Sequence, residues 1–393
     1  MNDHDALRPY FNRLQLRALV IGGGSAILLA IGALVSTREF YQAYLFGYLP
    51  WFGLSLGCLG VLLLHHLVSG AWGHIIQRMA ESGARTMLVM AVLFLPIIAG
   101  MHSLYPWTNH EIVEASHSLH RKAGYLNIPF FLVRAAIYFL FWIVVAFLLS
   151  AWSKKQDASA DPLLTRKMKK VAGPGMVIFV LSATFSSVDW MMSLEPEWYS
   201  TIYGMSAVVG GVLTTLAFCI LVLRSLANRK PFVDVLTSRH LHHLGNLLMA
   251  FTILWAYMAF SQFIIIWSGN LPEDNFWYLR RLGNGWNIIA LILLIGHFFV
   301  PFLVLLSRKT KRGIRTLGNV AAGILVMRFL DYFWLVNPAF NTDMFRLHWL
   351  DIVAPVSIGG LWVAAFMWQY KAHALLPLHD PRFNEKAEFA HHH

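Results

Sequence analysis

Residues 328–338 read R-F-L-D-Y-F-W-L-V-N-P and close a long apolar segment. Residues 189–196 read D-W-M-M-S-L-E-P and close an earlier one. In both stretches an aspartate precedes an aromatic residue, and a proline follows the aspartate by seven positions. Charged side chains are costly at membrane depth and usually face a protein interior there. The two stretches therefore predict a duplicated membrane scaffold that buries polar groups in each half.

The composition is typical of an integral membrane protein. Of 393 residues, 57% are hydrophobic and only 13% are charged, which is too few charges to cover a soluble chain of this length. The first apolar run follows a polar stretch and has no small-residue cleavage site after it, so we expect a retained anchor. The closing His391–His393 resembles a truncated tag and carries no weight in the predictions.

Ten apolar runs are long enough to cross a hydrocarbon core of about 30 Å, which takes roughly 20 helical residues. Helices are the open structure that satisfies its own backbone in lipid. We therefore predict an all-α polytopic membrane protein with ten transmembrane helices. The predicted spans are residues 16–36, 44–68, 86–104, 127–151, 172–193, 199–223, 244–267, 286–307, 317–336 and 350–370.

The repeated Asp–aromatic–Pro layout joins predicted helix 5 to predicted helix 9. An offset of four helices preserves orientation, so helices 2–5 and 6–9 are expected to form two parallel four-helix bundles. The bundles occupy about 44–193 and 199–336 of one transmembrane domain, 16–370, with helices 1 and 10 at its periphery. The tails are residues 1–15 and 371–393.

The charge distribution predicts the topology. Most of the 31 Lys and Arg residues fall in the two tails and the even-numbered connections, which places both termini of this multi-pass protein in the cytoplasm. The net charge of +11 then faces anionic lipid, and we expect no nucleic-acid partner.

Four connections stand out. Trp72–Arg85 is expected to be a short amphipathic helix at the cytoplasmic interface, and Ser153–Lys170 a basic, flexible linker. The longest outer loop, Pro106–Asn127, is expected to cap the outer face. Ser268–Gly285 has the Gly, Pro, Asn and aromatic content of an ordered outer loop at headgroup level.

Polar groups in or near the predicted spans are the candidate site. Ser182, Ser186, Asp189 and Ser193 share one face of predicted helix 5 and suit a hydrogen-bonded track. Acids and histidines take up and release protons, and hydroxyls link them. The proton-transfer candidates are therefore Asp189, Glu195, Asp331, Asp351, His297, Ser182, Ser186 and Ser193, with Arg134 and Arg328 balancing their charge.

Plainer interpretations compete with this one. Arg328 and Asp331, at i and i+3, form an intrahelical pair that by itself reduces the cost of insertion. Asp189 has no base one turn away and needs a partner from another helix. We expect His297 to be a hydrogen-bonded core histidine rather than a haem ligand. His65 and His66 are expected at the membrane interface.

Several strings together resemble one known family. They are W-G-H-I-I-Q-R at 72–78, Y-L-N-I-P-F-F-L-V-R-A at 125–135, S-V-D-W-M-M-S-L-E-P-E-W-Y-S-T-I-Y-G at 187–204, W-A-Y-M-A-F-S-Q-F-I-I-I-W-S-G-N-L-P-E at 255–273, W-Y-L-R-R at 277–281, H-W-L-D at 348–351 and L-P-L-H-D-P-R at 376–382. From about residue 40 to residue 384 the chain resembles the F subunit of bacterial alternative complex III. That family is related to the NrfD and polysulfide-reductase membrane subunits.

The resemblance implies a non-catalytic or auxiliary membrane subunit of a quinol:cytochrome c or electron-acceptor oxidoreductase. It implies no redox centre on this chain. Iron–sulfur clusters and haem c are expected only on partners, namely an iron–sulfur protein, a related quinol-binding C subunit and c-type cytochromes, and a terminal oxidase is a further candidate partner. The sequence motifs agree, because Cys58 and Cys219 match no cluster or c-type haem spacing.

Three functional classes remain open at this point. A quinone such as menaquinone needs polar groups at its ring carbonyls and a groove for its tail, and this chain offers both, as do many polytopic proteins; a lipid is the other expected ligand. Internal repeats with buried charges are compatible with three classes of protein: a respiratory subunit, a stand-alone secondary transporter and a purely structural membrane anchor.

Overall fold

The structure, a computed structural model, describes residues 3–159, 161–377 and 380, with side chains from Ala6 onward. The closing residues 381–393, which include His391–His393 and much of the predicted C-terminal tail, lie outside that description. Within the described residues the secondary structure is helical without strands. Ten helices are long and apolar enough to cross a membrane. The predicted all-α polytopic class is therefore confirmed.

The ten long helices follow the chain in order. They are α1 (Asp3–Val35), α2 (Thr37–Val68), α3 (Ala71–Ala99), α4 (Ile128–Ser159), α5 (Pro162–Trp190), α6 (Thr201–Leu226), α7 (Ser238–Gly269), α8 (Trp286–Leu306), α9 (Ile314–Val336) and α10 (Leu350–Tyr370). Shorter helices lie in the connections, at His110–Ala115, His117–Lys122, Phe232–Val235, Pro272–Leu282 and Arg308–Arg312.

Both ends of the ten-helix array lie on one side. The ring of Phe11 on α1 contacts the ring of Tyr370 on α10, with centroids 5.5 Å apart, and Lys371 Nζ donates to Gln15 Oε1 at 2.6 Å. We call this the terminal side and the opposite one the distal side. The described residues leave open which side faces the cytoplasm, so that orientation stays a prediction.

Two four-helix groups pack in the same order. In the first half, α2 packs against α3 and α5, while α4 packs against α3 and α5. In the second half, α6 packs against α7 and α9, while α8 packs against α7 and α9. Helices α1 and α10 pack on each other and on α2, and α10 also packs on α3. This arrangement has the form expected of a duplicated scaffold.

The halves meet where α2 crosses α6. A Cβ added to Gly57 would lie 2.1 Å from the carbonyl oxygen of Gly211, so the two backbones touch without side chains between them. Small residues permit this close approach, which gives membrane helices their dispersion contacts. Thr215 Oγ1 donates to Leu54 O at 3.3 Å across the same crossing. The candidate site thus sits on two groups with a tight common seam.

The polar ends of several helices were not predicted. Helix α1 begins at Asp3 rather than residue 16, and its Leu7 and Phe11 are buried. The flexible linker predicted at Ser153–Lys170 is wrong: α4 runs to Ser159, and α5 begins at Pro162 after Asp161, whose side chain accepts from Leu163 N at 2.8 Å. Charged residues suit helix turns beyond the hydrocarbon as well as they suit loops.

The predicted interfacial helix is a buried part of α3. Residues 71–85 are helical as expected, but nearly all of Gly73–Ala84 is enclosed by protein, and the helix leads directly into the apolar part of α3. Its charges are satisfied there. Arg78 Nη1 donates to Glu81 Oε2 at 2.7 Å, and Arg78 Nη2 to Asp157 Oδ1 at 2.5 Å on α4. Paired charge can therefore replace contact with the lipid headgroups.

The distal side carries two ordered connections. Residues 106–127 contain the helices His110–Ala115 and His117–Lys122, and Lys122 Nζ donates to Pro196 O at 2.6 Å. The segment 268–285, expected to be an ordered loop, is largely the amphipathic helix Pro272–Leu282. Both connections lie beside the end of α5, close to the polar groups described next.

Candidate functional site

The acid of the first half is held by an arginine from another helix. Arg134 on α4 donates through Nε to Asp189 Oδ2 at 2.9 Å and through Nη2 to Asp189 Oδ1 at 3.0 Å. Tyr138 Oη donates to the same Oδ2 at 3.1 Å. The Asp189 residue is 0% exposed. The inter-helix partner expected for Asp189 is thus Arg134, and both carboxylate oxygens are already occupied.

Arg134 is itself enclosed on its other faces. Its remaining Nη1 donates to Tyr125 O at 2.9 Å. The rings of Tyr125 and Phe130 lie 3.9 and 4.3 Å from the guanidinium carbon, within cation–π range. Burial, followed by the negative charge of Asp189, raises the pKa of Tyr125, so its phenol stays neutral at pH 7. The first-half centre is therefore a closed, charge-balanced cluster.

The serine face of α5 is buried but is not linked into a track. Ser182, Ser186 and Ser193 each donate to a carbonyl of their own helix turn, at 3.1, 2.9 and 2.5 Å. Among the described residues no hydrogen bond joins one of these serines to another. Ser182 accepts from Trp142 Nε1 at 2.9 Å, and Ser193 from Trp107 Nε1 at 3.2 Å. Two of these serines therefore hold neighbouring tryptophans by hydrogen bonds, Ser182 holding Trp142 and Ser193 holding Trp107.

Glu195 joins α5 to the distal helix Pro272–Leu282. Its Oε1 accepts from Arg280 Nη1 at 3.0 Å, and its Oε2 accepts from Arg281 Nη2 at 2.6 Å. Arg281 is 1% exposed and also donates to Leu335 O at 2.9 Å, near the end of α9. One carboxylate therefore connects the end of the first half to the distal end of the second.

The acid of the second half pairs within its own helix. Arg328 Nη1 donates to Asp331 Oδ2, and Arg328 Nε donates to Thr214 Oγ1 on α6 at 3.2 Å. Trp255 Nε1 on α7 also donates to Oδ2 of Asp331, at 3.2 Å. Among the described residues Asp331 Oδ1 accepts no hydrogen bond. The intrahelical pair is present as the spacing indicated, but it leaves one carboxylate oxygen available.

Gly210 makes room for this arginine. A Cβ at Gly210 would lie 2.3 Å from Arg328 Nη2 and 2.7 Å from its guanidinium carbon. The guanidinium therefore rests directly on the α6 backbone. Any side chain at residue 210 would displace the ion pair.

A cavity of about 380 Å³ opens beside Arg328 and Asp331. This volume falls in the range of small-ligand sites. Its walls are mainly apolar, but Tyr203, Gln262 and Tyr278 also supply polar groups. Gln262 Nε2 donates to Tyr278 Oη at 3.3 Å, and burial raises the pKa of Tyr278 to about 12, which keeps its hydroxyl neutral at pH 7.

The cavity reaches the outer surface of the bundle between α7 and α8. Phe260 on α7 and Leu294 on α8 line it and are 63% and 50% exposed. The exposed faces of these two helices are apolar and would meet lipid in a membrane. An apolar tail can therefore leave the cavity between them while a polar head stays at Asp331. By contrast, the space found beside the first half, lined by Ser186, Trp190 and Tyr332, is about 20 Å³.

His297 is a buried histidine without hydrogen bonds among the described residues. It is 0% exposed, and neither Nδ1 nor Nε2 has a hydrogen-bond partner there. The expectation of a hydrogen-bonded core histidine was therefore wrong. The imidazole centroid lies 3.9 Å from that of Trp255, the residue that donates to Asp331.

The backbone around His297 is unusual too. Residues 293–299 form a π-helical turn, and Pro301 follows within the next turn of α8. Proline lacks the N–H that would continue the α-helical ladder. Such π turns are frequent at functional sites. The turn brings Leu293, Leu294 and Phe298 to the cavity wall.

Asp351 lies apart from both ion pairs. Its Oδ2 accepts from His348 N at 2.9 Å at the start of α10. It lines a separate polar pocket at the distal ends of α2, α9 and α10. The polar groups that the sequence predicted in each half are thus divided among several centres, and Asp351 belongs to neither bundle core.

Several residues of these centres were not singled out by sequence reasoning. Tyr138 and Thr214 are uncharged residues within apolar helices, and nothing local marks them; Trp255 opens the string at 255–273, which gives it no role. Arg280 and Arg281 belong to the string at 277–281 that resembles the family, but their approach to Glu195 depends on the packing of the helix Pro272–Leu282. Asp189 gave a usable signal, because a buried acid without a local base requires a distant one.

The fold and these centres define a polytopic α-helical membrane protein with two buried Arg–Asp pairs, one closed and one lining a cavity. No family model matches the chain, and no curated protein matches it. Among the described residues, no group of three or more His, Cys, Asp or Glu side chains is placed to hold a metal ion.

Proposed function

We propose that the chain is a subunit of a quinol-oxidising respiratory complex in a bacterial inner membrane, with both termini on the cytoplasmic side. In this proposal its second half holds the headgroup of an isoprenoid quinone or a related lipid. The assignment to such a complex rests on the family resemblance of the sequence. The observation that carries the ligand is the 380 Å³ apolar cavity beside Asp331, an acid with one carboxylate oxygen unbonded.

The polar groups suit a ring with two oxygen substituents. Arg328 and Asp331 stand at one part of the cavity, and Gln262 and Tyr278 at another. A bound quinol would supply two electrons and two protons, and the electrons would pass to iron–sulfur clusters and haem c on partner subunits. Asp331 Oδ1 is the atom that would accept a proton from a ligand hydroxyl, because Oδ2 is already bonded to Arg328 and Trp255.

The first half then has a different role. Asp189 has no free oxygen, because Arg134 and Tyr138 occupy both. We therefore assign Asp189 to holding α4 on α5 and Asp331 to proton transfer.

The decisive experiment compares Asp331→Asn with Asp189→Asn in the purified assembly. We expect Asp331→Asn to assemble and to lose quinol-dependent electron transfer or proton release at least tenfold. Asp189→Asn should lower assembly yield instead. Full, coupled turnover by Asp331→Asn would end the proton-transfer assignment. Retention of bound quinone in that variant would separate loss of proton transfer from loss of binding.

A secondary transporter is the second candidate. Two halves with the same helix order and a cavity at membrane depth also favour alternating access. Purification in mild detergent distinguishes the two. A respiratory subunit brings cytochrome and iron–sulfur chains with it, whereas a transporter is isolated alone and moves substrate in vesicles. A purely structural anchor would keep full turnover in the Asp331→Asn assembly.

A further inference from the structure

A polar pocket and an apolar groove meet at Asp351 on the distal side. The pocket, about 170 Å³, is formed where α2 begins, α9 ends and α10 begins. The groove, about 760 Å³, runs along α1, α9 and α10. Asp351 lines both. A polar chamber that continues into an apolar channel fits a molecule with a polar head and a hydrocarbon tail.

The groove has the length of one membrane leaflet. Along α10 it extends from Asp351 to Val363, and at 1.5 Å per residue that is about 18 Å. Half of the hydrocarbon core is about 15 Å. On α9 it reaches Val326, and on α1 it reaches Ala18, both well inside the membrane-spanning length. A lipid tail anchored at the distal surface would end near the midplane, where the groove ends.

The pocket contains charges of both signs that do not pair with each other. Arg38 and Arg346 line it, and so do Glu39 and Asp351. None of the four forms an ion pair with a described residue, and both arginines are exposed at the pocket mouth. Opposite charges that share a small pocket without contact leave space for a ligand that carries both signs. A phosphate suits the arginines, and an ammonium group suits the carboxylates.

A buried acceptor in the pocket also lacks a donor. Asn337 is 4% exposed, and its Oδ1 has no hydrogen-bond partner among the described residues. An acceptor left unsatisfied at this depth costs free energy unless a ligand or water supplies a donor. A primary ammonium has three N–H donors and can serve both Asn337 and a neighbouring carboxylate.

From this geometry we propose that the distal pocket and groove bind one zwitterionic aminophospholipid of the phosphatidylethanolamine type. Its phosphate binds Arg38 and Arg346, and its ammonium binds Asp351, Glu39 and Asn337. One acyl chain fills the groove beside α10. An anionic phospholipid would bring its phosphate and no cation to Glu39 and Asp351. A neutral quinone would leave all four charges unpaired. This site is separate from the cavity at Asp331 and does not depend on the proposed function.

The test is lipid retention by the purified full chain. The chain is loaded in mild detergent with equimolar phosphatidylethanolamine and phosphatidylglycerol, then delipidated stepwise and weighed by native mass spectrometry. We expect one phosphatidylethanolamine to remain bound. Arg346→Gln and Glu39→Gln should each weaken its retention roughly tenfold or more, because each removes a charge-assisted contact. Arg121→Gln, an exposed arginine on the distal side away from the pocket, is the matched control.

A second pair of variants tests the groove. Val356→Trp places a large side chain in it without touching the charged pocket, since Val356 lines only the groove and is 41% exposed. We expect retention to fall as in Arg346→Gln. Leu303→Trp, on an exposed face of α8, should retain lipid normally.

Three results would overturn the proposal. The first is equal retention of both phospholipids by the wild type. The second is unchanged retention in every pocket and groove variant, each first verified to elute and to unfold like the wild type. The third is a map of the assembly in which a protein helix occupies the groove.

Discussion

The guanidinium of Arg134 on α4 grips both carboxylate oxygens of Asp189 on α5, with N–O distances of 2.9 and 3.0 Å. The equivalent acid of the second half, Asp331, is bonded through Oδ2 alone. The two stretches that share a sequence layout therefore hold their acids in different ways. One pair joins two helices, and the other lies along a single helix beside a cavity.

The first prediction concerns the closed pair. Asp189→Asn leaves a buried guanidinium without its counter-charge, and breaking a buried pair in this way typically costs about 3–5 kcal/mol. We expect a clear fall in the thermal unfolding midpoint in detergent. Arg134→Lys keeps the charge but loses the two-point contact, so its loss should be intermediate. Equal stability of Asp189→Asn and the wild type would show that the pair does not hold α4 on α5.

The sequence predicts those features of this architecture that depend on residues close together in the chain. Ten apolar runs were sufficient to find the spans, because bilayer thickness fixes helix length. The spacing of Arg328 and Asp331 predicted their contact, since i and i+3 share a helix face. Arg134 and Asp189 are 55 positions apart, and no local pattern specifies that pairing.

Polar segments were the main source of error. Residues 72–85 were predicted as an interfacial helix because they are amphipathic. Asp157, on another helix, satisfies Arg78 instead. The cavity was equally inaccessible to sequence reasoning, because its walls combine a π-helical turn of α8 with residues from α6, α7, α9 and the helix Pro272–Leu282.

The second prediction concerns Gly210. Gly210→Ala places a methyl group 2.3 Å from the present position of Arg328 Nη2, so the guanidinium must move and the cavity must change shape. We expect lower stability and lower occupancy of any cavity ligand. Gly323→Ala is the matched control, because a Cβ there has no neighbour within 4 Å. Helix propensity alone should make that control more stable by on the order of 1 kcal/mol. The idea fails if both variants gain stability equally.

The third prediction concerns His297. Its ring makes no hydrogen bond among the described residues, so His297→Phe removes an unsatisfied polar group and keeps the contact with Trp255. We expect stability to be unchanged or to rise by about 1–3 kcal/mol, the cost of a buried unsatisfied group. Thermal unfolding measures it. A marked loss of stability would mean that the imidazole has a polar contact in the membrane, such as a bound water.

The fourth prediction concerns the ion pairs that Glu195 forms with Arg280 and Arg281 on the distal side. Glu195→Gln removes the counter-charge of Arg281, which is almost fully buried, and should destabilise the protein by about 3–5 kcal/mol. Limited proteolysis should then cut the helix Pro272–Leu282 faster. Glu197→Gln, two residues away and exposed, should stay within about 0.5 kcal/mol of the wild type. Similar cleavage rates in both variants would show that Glu195 does not hold this helix in place.

The contact between α1 and α10 has a consequence for biogenesis. Helix α1 leaves the ribosome long before α10 and packs chiefly against it, so α1 and the adjoining face of α2 must wait in the bilayer until α10 has been translated. Insertion can proceed helix by helix, but closure of the fold is post-translational. A messenger truncated before the codon for Leu350 would therefore leave α1 to α9 inserted with an open flank, which is a natural signal for membrane quality-control proteases.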